Sequence, residues 1–114
     1  MKTLEGKIAW ITGAGTGIGR GGALALAEAG AFIILSGRRK TQLEDVKRTI
    51  LAAGGNAETA PLDIVDVEAC DKTVEFILGA HNRLDIVVNS AGLNVAKRKW
   101  NEISHDDWRK VLDV

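Results

Sequence analysis

Lys7-Ile8-Ala9-Trp10-Ile11-Thr12-Gly13-Ala14-Gly15-Thr16-Gly17-Ile18-Gly19-Arg20-Gly21-Gly22 is the stretch that decides the fold. Its first six residues are mostly apolar and β-branched and read as a buried strand, Lys7–Thr12. Six of the chain's 13 glycines then fall between Gly13 and Gly22. The alanine- and leucine-rich run from Ile18 to Ala29 that follows has helical character and ends at Gly30, a suitable C′ residue. Glycine at a strand-to-helix turn permits positive φ and lets the backbone come close to a ligand. The helix N-terminus behind it offers unpaired N–H groups and a partial positive charge, which suit a pyrophosphate. A turn made tight only for packing would use the same glycines, so the cluster by itself leaves both readings open.

The pattern repeats outward at intervals of about 25 residues, the size of one strand-helix unit. Phe32–Ser36, Glu58–Leu62 and Leu84–Asn89 read as further strands. The third is the weakest, because Pro61 lacks a donor and suits an edge position. Thr41 is placed to cap a helix carrying Leu43, Val46, Ile50 and Leu51 on one face and closed by Gly54 and Gly55. Asp66 opens another, with Val67, Cys70, Val74, Ile77 and Leu78 on one face and Gly79 after it. Ser104, with Asp107 three residues on, opens a fourth through Trp108, Val111 and Leu112. Alternation of this kind predicts a doubly wound α/β fold: a parallel sheet, helices on both faces, right-handed crossovers.

Composition agrees and excludes several classes. The 114 residues suit one domain, 1–114 or part of one, and 46% hydrophobic with 26% charged residues argues against disorder. Fifteen basic residues balance fifteen acidic ones, which gives no general reason to expect nucleic acid or an acidic membrane as partner. A single cysteine makes no intramolecular disulfide and fits a reducing compartment. The N-terminus has no apolar signal region. Apolar runs such as Ala31–Leu35 fall far short of the roughly 20 residues of a membrane helix. These features predict a soluble cytoplasmic protein.

Register then points to a family. The fingerprint GxGxxG occurs at Gly17, Gly19 and Gly22, but it begins too late after the strand. Counted from the strand's end, the pattern is Thr12-Gly13-x-x-x-Gly17-Ile18-Gly19, which resembles the compact branch of the short-chain dehydrogenase/reductase family. The extended branch would have glycine at Thr16. Asn89-Ser90-Ala91-Gly92, after the fourth strand, resembles the family's NNAG tetrapeptide, with serine in place of its second asparagine. Asp63-Ile64 resembles the family's acidic residue for the adenine amino group and the backbone N–H that follows it. All three lie at carboxyl ends of predicted parallel strands, where open α/β sheets bind ligands. The resemblance implies a Rossmann-type sheet. It also implies a cofactor site drawn from Thr12, Gly13, Gly15, Thr16, Gly17, Ile18, Gly19, Asp63, Ile64, Asn89, Ala91 and Gly92.

Cofactor choice is read at the end of the second strand. NAD-binding versions of the fold usually carry a carboxylate there for the ribose 2′-hydroxyl. Here Gly37-Arg38-Arg39-Lys40 follows Ser36, and the next carboxylate is Glu44. Arginine binds a 2′-phosphate through charge-assisted hydrogen bonds. The stretch therefore favours NADP(H), with Arg38 on the phosphate and Arg39 stacking on adenine or assisting, and leaves NAD(H) open. A solvated basic start to the next helix is the plainer alternative, though basic residues oppose the macrodipole there.

Other residues read as structural. Cys70, Trp10 and Trp108 fit core positions. His81 and His105 have no second ligand at metal spacing, so no metal site is expected. Lys97-Arg98-Lys99-Trp100 reads as a solvated loop rather than a nucleic-acid patch.

The resemblance also implies what the chain lacks. The family's centre uses a serine, a YxxxK pair and a helical asparagine, yet this sequence has no tyrosine. None of the four roles can be carried over. The expectation is an amino-terminal portion of an oxidoreductase of the family's usual length, with 114 residues that bind cofactor but do not turn over. The full-length protein would interconvert a carbonyl and an alcohol and form a dimer or tetramer. A natural short nucleotide-binding or regulatory module is the alternative.

Overall fold

The computed structural model describes residues 3–15, 17–63 and 66–89. Within them the chain runs β1 (Ile8–Thr12), α1 (Gly17–Glu28), β2 (Phe32–Ser36), α2 (Lys40–Ala52), β3 (Asn56–Thr59), α3 (Val67–His81) and β4 (Ile86–Asn89). The strands form one parallel sheet in the order β3-β2-β1-β4. The chain thus steps from β1 to one side and then crosses back to the other, which makes the β1/β4 junction the topological switch point.

Both faces of the sheet are covered. β1 is buried along its whole length, and its side chains alternate between two cores. Ala9 and Ile11 join Ile33 and Leu35 under α1 and α2, whose buried apolar side chains are Ala23, Ala27, Leu43, Val46 and Ile50. Ile8, Trp10 and Ile34 face α3 through Cys70, Val74 and Ile77. Continuous apolar strands are what two-sided cover requires, because each residue removed from water contributes about 1.5–3 kcal/mol when it is large. Alanine is the only side chain α1 buries in the core, so its backbone lies close to the sheet.

Helix ends follow the sequence in most places. Gly30 takes φ 107° and Gly54 φ 90°. In each case the next residue donates back to the third-last helical carbonyl: Ala31 N–H to Leu26 O at 3.1 Å and Gly55 N–H to Ile50 O at 2.9 Å. This is the glycine-ended C-cap expected for both helices. Asp66 caps α3, its carboxylate accepting from Ala69 N–H at 3.1 Å.

Four expectations are corrected. Thr41 does not cap α2; the helix begins at Lys40, and Arg39 holds the N-cap position without a side-chain bond. Leu51 is 46% exposed and leaves the buried face to Leu43, Val46 and Ile50. α3 runs through Gly79 to His81 and stops at Asn82 in the left-handed region, φ 61°. β3 begins two residues earlier than read, because Asn56 emerges directly from the Gly54–Gly55 cap into register with Phe32.

Pro61 nevertheless behaves as expected of an edge residue. Ala60 and Leu62 donate inward to Leu35 O (2.8 Å) and Gly37 O (3.1 Å). Pro61, between them, occupies the outward position where no ladder donor is needed. The predicted fourth helix from Ser104, and with it Trp108, His105 and the Lys97–Trp100 loop, lies outside the described residues.

Candidate nucleotide site at the carboxyl ends of the strands

The turns leaving β1, β2 and β3 are stitched to one another along one rim of the sheet. Ala14, fully buried, donates its N–H to Ser36 O at 3.1 Å. Leu62 N–H reaches Gly37 O, so the exits of β2 and β3 are joined in turn. At the switch point, the buried Thr12 hydroxyl lies 3.0 Å from Asn89 Oδ1 and 3.4 Å from Val88 O, tying the end of β1 to that of β4.

The glycine-rich turn has the geometry its composition anticipated. Gly13 sits at φ 67° and Gly17 at φ 52°, in the left-handed region that costs other residues about 1–2 kcal/mol. Among the described residues, a Cβ placed on Gly17 would meet no atom within 4 Å apart from its chain neighbours and its own helix backbone. The position is therefore open as well as left-handed, and it begins α1, whose first N–H groups have no intrahelical acceptors. Gly15 differs: a Cβ there would come within 2.9 Å of Gln42 Cβ, so this glycine lets α2 approach the turn. Ile18 follows at 85% exposure, an apolar side chain standing at the mouth of the turn. Gly19 is buried.

Arg38 and Arg39 are both exposed at the exit of β2. Arg39 O accepts from Gln42 and Leu43 N–H, starting α2. No acidic residue occupies that helix's first turn, and Arg38, Arg39 and Lys40 follow one another in sequence at its positive end. Glu44, the first carboxylate after β2, accepts from Thr59 Oγ1 at 3.3 Å and so is engaged with β3. Asp63 is exposed at the β3 exit, one residue beyond the Leu62–Gly37 bond, and its carbonyl accepts from Asp66 N–H. Thr16, Ile64, Ala91 and Gly92 lie outside the described residues.

Two arrangements escaped the sequence reading. Trp10 is core, as expected, but its indole Nε1 donates to Ser36 Oγ at 2.8 Å, and Ser36 Oγ donates to Ala60 O at 2.7 Å. The signal was a serine ending an otherwise apolar strand. The second, at the opposite end of the sheet, is Asp85. It accepts from Ile8 N–H and from both Nε and an Nη of Arg83, while its own N–H donates to Ile8 O. Burial pushes its carboxyl up, but the Arg83 and Ile8 hydrogen bonds and the charges of Arg83 and Lys7 outweigh it and hold the group below the usual carboxylate range. His81 Nε2 stands 3.2 Å from Glu58 Oε1 with its ring against Phe32.

Comparison with known proteins identifies the family. The family model for short chain dehydrogenase matches residues 7–114. The chain belongs to the short-chain dehydrogenase family. An uncharacterized oxidoreductase of Staphylococcus aureus (strain MRSA252) is 36% identical over all 114 residues, which cover 48% of that protein. One from Listeria monocytogenes is 34% identical over 112 residues, 98% of this chain and 45% of the relative. This short-chain dehydrogenase chain thus spans about half the length of the curated relatives it matches. Among solved structures, a metagenomic short-chain oxidoreductase in complex with NADP superposes with a TM-score of 0.77 at 40% identity, over 80% of this chain and 41% of that one. A hydroxysteroid dehydrogenase from Escherichia coli gives 0.72 at 35% identity, over 75% and 36%. The Rossmann-type parallel sheet of this family is therefore the fold of the chain. Among the described residues, no helix is long and apolar enough to cross a membrane, and no group of three or more His, Cys, Asp or Glu could hold a metal ion.

Proposed function

We propose that the protein is an NAD(P)(H)-dependent oxidoreductase interconverting a carbonyl and an alcohol, and that residues 1–114 form its dinucleotide-binding portion. The observation that carries this is Gly17: a left-handed, open residue at the start of α1, beside the switch point of a parallel sheet. The donor set fits the group. Backbone N–H groups of the first turn of α1 would hold the pyrophosphate, with Gly13, Gly15, Thr16, Gly17, Ile18 and Gly19 forming the cradle. Thr12 and Asn89, joined across β1 and β4, would set the backbone of the Asn89–Gly92 segment, including Ala91, near the ribose. Asp63 and Ile64 would receive the adenine.

Arg38 and Arg39 support NADP(H) as the preferred form, since no carboxylate stands at the end of β2 to repel a 2′-phosphate. The bound NADP of a 40%-identical structure supports the same reading. When bound, the nicotinamide supplies the hydride; the chain's part is to bind and orient it. The tyrosine that the family uses as proton donor has no counterpart in residues 1–114, which include no tyrosine. By the same family reading the protein is cytoplasmic, acts on a small molecule and assembles as a dimer or tetramer.

Titrating the protein with NADPH and NADH tests the proposal. NADPH should bind more tightly, and Arg38→Ala should cut that preference by about tenfold or more, the scale of one charge-assisted contact. Tighter binding of NADH would overturn the cofactor assignment, and binding of neither would overturn the function.

A further inference from the structure

Ser36 occupies the last position of β2, fully buried, between the two cores and the rim. Its hydroxyl is engaged from both sides. Trp10 Nε1 donates to it from the centre of β1, which orients its own proton toward Ala60 O, 2.7 Å away. Ala60 is the first residue beyond β3, and its N–H is already held by Leu35 O. Leu62 is then held by Gly37. Three consecutive residues of the β2 end thereby grip the segment that leads to Asp63. An irregular segment after a four-residue edge strand would otherwise have little to fix its path.

We infer that Ser36, oriented by Trp10, is a positioning residue for the adenosine end of the cofactor: it sets the separation between the Ala60–Asp63 segment and the Gly37–Arg39 loop. The inference rests on the dinucleotide reading above. A neutral hydroxyl suits the task because it donates and accepts at once, so both the indole and the carbonyl are satisfied within the buried strand ends. Alanine at this position would leave the indole without this acceptor and Ala60 O without this donor, and the two exits would be free to separate.

The test is binding of cofactor fragments to the full protein chain. Ser36→Ala is expected to bind NADPH and 2′,5′-ADP about tenfold more weakly, the scale of one buried hydrogen bond, while affinity for reduced nicotinamide mononucleotide stays unchanged. Trp10 emission, read in a Trp100→Phe/Trp108→Phe background, should shift to the blue as the indole loses the Ser36 hydroxyl. Trp10→Phe, which leaves the Ser36 hydroxyl in place but unoriented, should weaken 2′,5′-ADP by a smaller factor. It provides the reading if Ser36→Ala does not fold. Undiminished 2′,5′-ADP binding in the folded variant, or an equal loss on both fragments, would overturn the inference. A wild-type protein that binds neither NADPH nor 2′,5′-ADP would instead overturn the dinucleotide reading itself.

Discussion

At Gly17 a single hydrogen in place of a methyl group separates two effects that usually arrive together. Gly17→Ala strains the backbone at φ 52°, and among the described residues the methyl group would touch nothing beyond its own stretch of chain. Its cost in stability should be confined to about 1–2 kcal/mol, measurable by urea unfolding. Its cost in NADPH affinity should be larger, about a hundredfold or more if the pyrophosphate lies against that position, equivalent to about 2.7 kcal/mol. Equal losses would remove the ligand from Gly17. Sequence spacing made this residue legible, because the count from Thr12 to Gly17 and Gly19 needs no structure. The Trp10–Ser36–Ala60 chain was not legible, since it joins residues 24 and 26 positions apart whose meeting depends on strand register. Glu44 shows the same limit. Position in sequence shows it to be the first carboxylate after β2, but only the packing of α2 beside β3 shows that it meets Thr59.

Among the secondary-structure elements, order and type were readable while several boundaries were not. Apolar, β-branched runs marked β1, β2 and β4, and glycines at positive φ ended α1 and α2 where the sequence placed them. β3 was misplaced because Asn-Ala-Glu-Thr has little strand character of its own; only Ala57 in it is buried, and pairing with β2 supplies the structure. Thr41 looked like a cap by residue type, but the helix began one residue before it. Asp66, by contrast, combines residue type with a made bond to Ala69 N–H. Asp66→Ala should therefore destabilise the protein by about 1 kcal/mol, whereas Thr41→Ala should change stability by less than about 0.5 kcal/mol. A thermal-melt series comparing the two variants checks the contrast.

Across the whole sheet, polar groups are gathered at two opposite ends. Asp85 anchors the amino ends of β1 and β4 through its paired bonds to Ile8 and its fork to Arg83. A carboxyl held below its unfolded value of about 3.9 contributes stability that is complete above that value. The contribution is lost as pH falls through the lower folded value. Asp85→Asn should thus be less stable at neutral pH by about 1.5–3 kcal/mol, the worth of hydrogen bonds to a charged group. The gap to wild type should narrow once pH drops below about 3.9. Denaturant curves at stepped pH would show it, and a gap independent of pH would refute the role of the charge. NADPH affinity should be the same in both proteins when each is folded, because Asp85 lies at the far end of the strands from the glycine turn.

That distance bears on how such a chain drifts and how it could be bred. Selection for heat tolerance alone would find its footholds around Ile8, Arg83 and Asp85 and leave the choice of coenzyme alone. On the proposed cofactor reading, selection for a different coenzyme would replace the exposed Arg38 and Arg39 side chains and leave the Asp85 end untouched. The sheet is a spacer that lets its two ends change separately.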